Sequence, residues 1–221
     1  MTSKNFSLRL VAVAALLGLS GVAQAALTVY TDEALFNAAV INAGTDDFST
    51  LAAGDLGGSI SRSTLTHGYS YDASAPLNVF GIAGTPNWLS VVVAADTLTL
   101  GNFGGGVKAV GGTFFNTDLG GAAFGGNLTV TAKDASGTFS NTFIGSTTSS
   151  FVGFVSTGLM TSLTVVADNS GVIVDEFGNG PFLYPTVGTL TLASAVPEPE
   201  TYALMLAGLG LVGFVARRRR A

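Results

Sequence analysis

The stretch Leu128-Thr129-Val130-Thr131-Ala132-Lys133 alternates apolar and polar side chains without a break. Successive side chains on a strand point to opposite faces. A period of two therefore puts Leu128, Val130 and Ala132 on a buried face and Thr129, Thr131 and Lys133 on a wet one. A helix would need its apolar positions three and four apart. The segment predicts a strand with one face in a core, and that reading spreads to both sides.

Downstream, Phe151-Val152-Gly153-Phe154-Val155 is apolar at every second position and nearly so between them, which predicts a strand buried on both faces. Leu163, Val165 and Ala167 alternate again and run into Asp168-Asn169-Ser170-Gly171, a turn signal. With Val172-Ile173-Val174 following, residues 161–177 read as a β-hairpin. Further strand candidates lie at 46–50, 58–66, 77–82, 88–94, 96–100, 107–116, 138–144 and 187–193. Short strands punctuated by Gly and Asn turns predict an antiparallel two-sheet sandwich or jelly roll.

Upstream, Ala26–Tyr30 reads as a further strand. Thr31 is placed to cap a short helix, with Asp32 and Glu33 in the first turn where the helix dipole favours anions. Leu35, Phe36, Ala39 and Val40 share one face of that helix, and Gly44 sits where a C-cap belongs. It is the one helix expected in the mature domain. The glycine clusters at 104–106, 111–112, 120–121 and 125–126 lead into no helix and precede no Lys-Ser or Lys-Thr. They read as turns, bulges or close backbone approaches rather than a nucleotide loop.

Both termini carry a different chemistry. Lys4 and Arg9 precede an apolar run, Leu10 to Leu19, and then Ala23-Gln24-Ala25, a small-x-small site. This pattern predicts a cleaved signal peptide over 1–25, handled by the Sec translocon and signal peptidase. At the other end, Pro197-Glu198-Pro199 forms a stiff anionic strip, because each proline fixes its own φ and extends the residue before it. No charge follows from Thr201 to Ala216, and then come Arg217, Arg218, Arg219 and Arg220. As a helix the apolar run would span about 24 Å, close to a bilayer core once Tyr202 and snorkelling arginines are counted. The arginine block favours a cytoplasmic C-terminus. A single transmembrane helix is expected, and a plain permanent anchor is the alternative to a processed one.

Between the termini, residues 26–195 form the expected secreted β-sandwich domain, and 196–221 the sorting signal. Only Arg62, Lys108 and Lys133 are basic there, against twelve acidic residues. That balance excludes the phosphate neutralisation on which nucleic-acid binding rests, and disfavours anionic lipid surfaces. The 221-residue chain has no cysteine, so neither a disulfide, a thiolate metal site nor a cysteine nucleophile is available.

The tail Pro197-Glu198-Pro199, Thr201–Ala216 and Arg217–Arg220 resembles the PEP-CTERM sorting signal of Gram-negative bacteria. The resemblance implies recognition and cleavage by exosortase, a transient stay in the inner membrane, and delivery to the cell surface or an exopolysaccharide matrix of the kind found in biofilms. The region Gly112–Gly178 is similar to carbohydrate-binding-like β-sandwiches found ahead of such tails. Leu128–Ala132, Phe151–Val155, Leu163–Ala167 and Val174-Asp175-Glu176-Phe177-Gly178 carry that likeness. The opening Val29-Tyr30-Thr31, Leu35-Phe36 and Asp47-Phe48 resembles a common beginning of such proteins.

Candidate sites are few. The single tryptophan, Trp88, with Tyr69 and Tyr71, is the candidate glycan platform, and its competing role is a core or sheet-edge anchor. Asp46 with Asp47 and Asp175 with Glu176 are candidate ligands of a structural Ca²⁺, which takes several oxygens, or else surface and turn carboxylates. Apart from that ion no cofactor is expected. His67, Ser70 and Asp72 have the residue types of a catalytic triad. On an extended segment, however, His67 and Ser70 face opposite ways, so no catalytic residue and no enzyme activity are expected. The functional expectation is an exported surface or matrix protein able to bind glycan. The alternatives are a structural or adhesive matrix protein without a ligand, and a secreted hydrolase.

Overall fold

The computed structural model describes residues 27–84, 86–173, 180–196, 205–210, 212 and 217. In chain order the chain forms β1 (Leu27–Tyr30), α1 (Glu33–Ala38), β2 (Val40–Asp46), β3 (Gly54–Asp55), β4 (Ser59–Ser63), β5 (Ser70–Ser74), β6 (Val79–Ile82) and β7 (Trp88–Val91). There follow β8 (Leu98–Gly104), β9 (Ala109–Thr117), β10 (Ala123–Phe124), β11 (Leu128–Asp134), β12 (Thr138–Phe143), β13 (Phe151–Ser156), β14 (Met160–Ala167) and β15 (Tyr184–Ala195).

These strands make two antiparallel sheets. The larger has nine strands in the order β1-β13-β9-β15-β7-β6-β3, with β10 added beside β9 and β2 beside β15. The smaller has six, in the order β12-β11-β14-β8-β5-β4. Their facing surfaces supply one core: Phe114, Phe154, Leu190 and Leu192 from the larger sheet meet Leu128, Val130, Leu163, Leu100 and Tyr71 from the smaller. The alternation at Leu128–Lys133 is realised as β11, whose apolar members are fully buried.

β13 is buried on both faces, as its sequence predicts, and the reason is α1. The helix lies on the outer face of the larger sheet and drives Phe36 into a second cluster with Val40, Ala109, Phe151 and Ala193. The Phe36 ring packs against Phe151 at 5.5 Å and Tyr30 at 6.3 Å between centroids. A β-carbon on Gly153 would overlap that ring, and one on Gly111 would come within 2.9 Å of it. The sheet can receive a phenylalanine from outside because those two positions carry no side chain.

The helix is shorter than its sequence pattern. Asp32, not Thr31, is the N-cap, with its carboxylate accepting from Leu35 N–H at 2.9 Å. The helix stops at Ala38, so Val40 belongs to β2 and Gly44 lies inside that strand instead of capping the helix. Pairing with β15 (Leu190↔Asp46 through Ala195↔Val40) overrides the helical spacing. The strand expected at 46–50 therefore ends at Asp46. The returning arm of the expected 161–177 hairpin does not form at Val172 and Ile173, and Val174 lies outside the described residues. The Asp168 carboxylate does close the turn, accepting from Ser170 N–H and Oγ–H at 3.1 and 2.6 Å.

β15 positions everything that follows. One edge pairs with β9 from Tyr184↔Thr117 to Ala193↔Ala109. The other edge is shared, with β7 meeting it at Val187↔Leu89 and β2 taking over from Leu190 onward. Residues 205–210 are helical and exposed. Among the described residues no helix is long and apolar enough to cross a membrane, and most of the expected spanning segment Thr201–Ala216 lies outside them.

Candidate functional site

The sequence-derived candidates are dispersed. Tyr71 is 1% exposed and Tyr69 is buried beside it in the core, so neither can stack on a ligand, which corrects the expectation of an aromatic platform. Alternation shows why: Tyr69 just before β5, and Tyr71 and Ala73 within it, are buried, while Ser70, Asp72 and Ser74 between and after them are exposed or half-buried. Tyr71 donates its hydroxyl to Asp46 Oδ2 at 2.8 Å. Burial, and then the Asp46 charge, push its phenol pKa well above the ordinary range. Trp88 sits on the outer face of the larger sheet, half-buried, with its ring edge-on to Phe115 at 4.8 Å. It is a sheet anchor remote from both tyrosines.

Asp46 is not available for calcium either. Its Oδ2 accepts from Arg62 Nε–H at 2.6 Å as well as from Tyr71, and its Oδ1 accepts from Arg62 Nη2–H at 2.7 Å and Phe48 N–H at 3.0 Å. A carboxylate offers about four acceptor directions, and all are taken. The charge a Ca²⁺ ion would bring is already supplied by a guanidinium. Burial opposes that guanidinium's charge, but the Asp46 hydrogen bond and charge outweigh it and raise the Arg62 pKa. The arrangement ties β2 of one sheet to β4 and β5 of the other. Asp47 points outward and closes a turn onto Ser49 N–H at 2.9 Å. Asp175 and Glu176 lie outside the described residues. Among the described residues no group of three or more His, Cys, Asp or Glu side chains could hold a metal.

His67 lies exposed in the turn before β5, in a left-handed conformation with φ 62°. Asp72 accepts from Ser61 Oγ–H at 2.6 Å and Asn102 Nδ2–H at 2.8 Å, not from histidine. The three residue types of the triad are thus not brought together.

Sequence reasoning missed a concave surface. On the outer face of the larger sheet, an open groove of about 430 Å³ is walled by Phe80, Ile82 and Tyr184 and rimmed by the β9–β10 turn, Asp118 to Gly121. It opens where β15 leaves β7. Pro185 has no N–H to give to a neighbouring strand, and its carbonyl accepts from Ser90 Oγ–H at 3.1 Å instead. Thr186 links Ser90 at 3.0 Å and Thr117 at 3.0 Å, so a buried hydroxyl chain fastens β7, β15 and β9 beneath the groove. Among the described residues Asp118 is the only charged one lining it. Its Oδ1 accepts from Ala122 N–H at 2.9 Å, and Oδ2 has no protein partner among the described residues. Gly121 turns the rim at φ 80°. The lone sequence signal was Gly120-Gly121 after Thr117-Asp118, readable as a turn but not as a rim.

Next to the groove, across Tyr184 and Val92, lies a second hollow lined by Ala94, Asn169 and Phe182. Asn169 holds this end together. Its Nδ2 donates to the carbonyls of Ala94 and Leu183, both at 3.0 Å, and its Oδ1 accepts from Leu183 N–H at 2.8 Å.

At its opposite end β15 finishes at Ala195, and Val196 N–H donates to Ala39 carbonyl at 3.1 Å. The chain that follows holds the proline, apolar and arginine segments. Residues 195–220 match the PEP-CTERM protein-sorting motif. The PEP-CTERM match thus starts on the last residue of the strand that also begins the groove. It implies exosortase as processing partner, export, and a surface destination reached through a membrane. Pro197, Glu198, Pro199 and Arg218–Arg220 fall within the match and outside the described residues, while Arg217 falls within both. The signal-peptide residues Ala23 and Ala25 also lie outside the described residues. No curated protein matches this chain.

Proposed function

We propose that this chain is an exported, exosortase-processed surface protein whose sandwich binds extracellular glycan and performs no catalysis. The observation that carries the reading is the continuity of the PEP-CTERM match with β15. A twelve-residue strand separates the groove at Tyr184 from the tail at Ala195, roughly 37 Å at strand rise. Only residues 197–200 separate Val196 from the apolar run. The chain leaves the domain at the α1 end of β15, and the groove lies at the other end of that strand. A binding surface at the end of the domain away from the sorting signal suits a protein that meets polymer outside the cell. The acidic, cysteine-free domain fits an extracellular setting and gives anionic partners little to bind.

Processing is tested by intact-mass measurement of the surface-released protein. Loss of Met1–Ala25 and of Thr201–Ala221 is expected, and recovery of the intact arginine tail would replace processing with simple anchoring. Glycan binding is tested on an array of polysaccharides, including the producer's own. Absence of binding to all of them would leave a structural matrix protein.

A further inference from the structure

We infer that the groove beside Tyr184 is the saccharide site, and that it takes an uncharged sugar unit and rejects uronates. The inference rests on the glycan reading above and gives it an address, a ligand class and a set of contacts.

Three observations meet at this place. The walls, Phe80, Ile82 and Tyr184, are half-buried, with Tyr184 also packing against the main core, so part of their ring and methyl surface stays open to the groove. A pyranose presents one face of C–H groups, and an aromatic ring is the natural support for it, apolar in its body and polar at the tyrosine hydroxyl. Tyr184 pairs with Thr117, which places it one residue from Asp118 across adjacent strands, within about 5–8 Å. One ring can therefore rest on Tyr184 while a hydroxyl donates to the open Oδ2 of Asp118.

Charge then selects among sugars. Among the described residues Asp118 is the sole charged one lining the groove, and no Lys or Arg joins it there. A uronate carboxylate would meet a like charge with no cation to offset it. A neutral hexose or an N-acetylhexosamine brings hydroxyl and amide donors that Asp118 can accept, and no negative charge for it to repel. The buried hydroxyls of Ser90, Thr186 and Thr117 spend their protons on one another and on the Pro185 and Tyr184 carbonyls, so they brace the floor and do not bind. Rigidity of that floor keeps the ordering cost of binding low. The volume, about 430 Å³, lies in the range of small-ligand clefts.

The test uses the full chain in detergent and titrates it with gluco-, galacto- and N-acetylglucosamine oligosaccharides, with oligogalacturonate as the anionic arm. At least one neutral sugar should bind, and oligogalacturonate should not. Asp118→Asn and Leu119→Ala alter the rim at exposed or half-exposed positions, so folding should survive, as unchanged thermal unfolding would verify. Asp118→Asn should weaken binding about tenfold, the size of one lost charge-assisted hydrogen bond. Tyr184→Ala should weaken it more, and Trp88→Phe, outside the groove, should leave it unchanged. Binding that ignores Asp118→Asn, Leu119→Ala and Tyr184→Ala alike overturns the groove while sparing the glycan reading. Preference for oligogalacturonate overturns the ligand class. Absence of binding to every sugar overturns the glycan reading itself.

Discussion

In the larger sheet β9, β13 and β15 are buried on both faces, while in the smaller sheet β11 and β14 bury one face and give the other to hydroxyls. The second pattern is continuous across all six strands. Ser59, Ser74, Thr99, Thr164, Thr131 and Ser140 stand in one paired row, with Thr131 and Ser140 hydrogen-bonded at 2.8 Å. The contrast has one cause. Something covers the outer face of the larger sheet, α1 at one end and the β9–β10 turn at the other, and nothing described covers the smaller. A covered face must be apolar or hydrogen-bonded, whereas an uncovered one is satisfied by water. The covered sheet is also where concavity arises, since a groove needs a floor and a wall from different elements.

Substitutions should expose that asymmetry. Phe36→Ala removes the side chain that α1 buries and should cost about 3–5 kcal/mol in chemical denaturation. A loss under about 1 kcal/mol would mean that α1 does not cover the sheet. Arg62→Ala strands the Asp46 carboxylate between the sheets and should cost about 3 kcal/mol, with Tyr71→Phe much milder. Gly153→Ala pushes a methyl into the Phe36 ring, for about 1–3 kcal/mol. The double variant with Phe36→Ala should recover part of that loss, because the obstacle is gone.

Acid should act more gently. Burial works against the charge on Asp134, but hydrogen bonds from Ser136 and Ser156, and the Ser136 and Gly137 amides, outweigh it and hold its pKa below the ordinary carboxylate value. A depressed folded pKa gives stability that is present above the unfolded value of about 4 and is lost as pH falls through the folded one. Unfolding free energy should therefore drop below about pH 4, and Asp134→Asn should flatten that limb. An identical acid profile in the variant would assign the loss to other carboxylates. Smallest of all, Thr131→Val on the hydroxyl row should stay within about 0.5 kcal/mol. A cost matching Gly153→Ala would show that the smaller sheet is covered as well.

The two sheets also differ in how much of them was legible. β11 and β14 could be read from alternation, because one dry face and one wet face impose a period of two. β13 could be read as doubly buried, although nothing in its own sequence named Phe36 as the cover. β2 could not be read. Val40 fits the helical stripe of Leu35, Phe36 and Ala39, and only the edge offered by β15 draws it into a strand. Tyr69 and Tyr71 looked like an exposed pair with Trp88, yet strand parity turned them inward. Asp46 looked like half of a calcium pair, and its partner proved to be Arg62, sixteen residues on and across the sandwich. The groove had no local signature, because Phe80, Asp118 and Tyr184 come from three distant segments.

The sequence by itself determined the class of the fold and the address of the protein. Alternation, turn residues and the terminal signals are local patterns, and their physics acts over a few neighbouring residues. The tertiary structure decided which carboxylate meets which cation, which aromatic ring is hidden, and where a ligand could rest. Those outcomes depend on pairing between strands far apart in the chain, and most of all on β15. It begins at the groove, ends at the sorting motif, and fixes the distance between them.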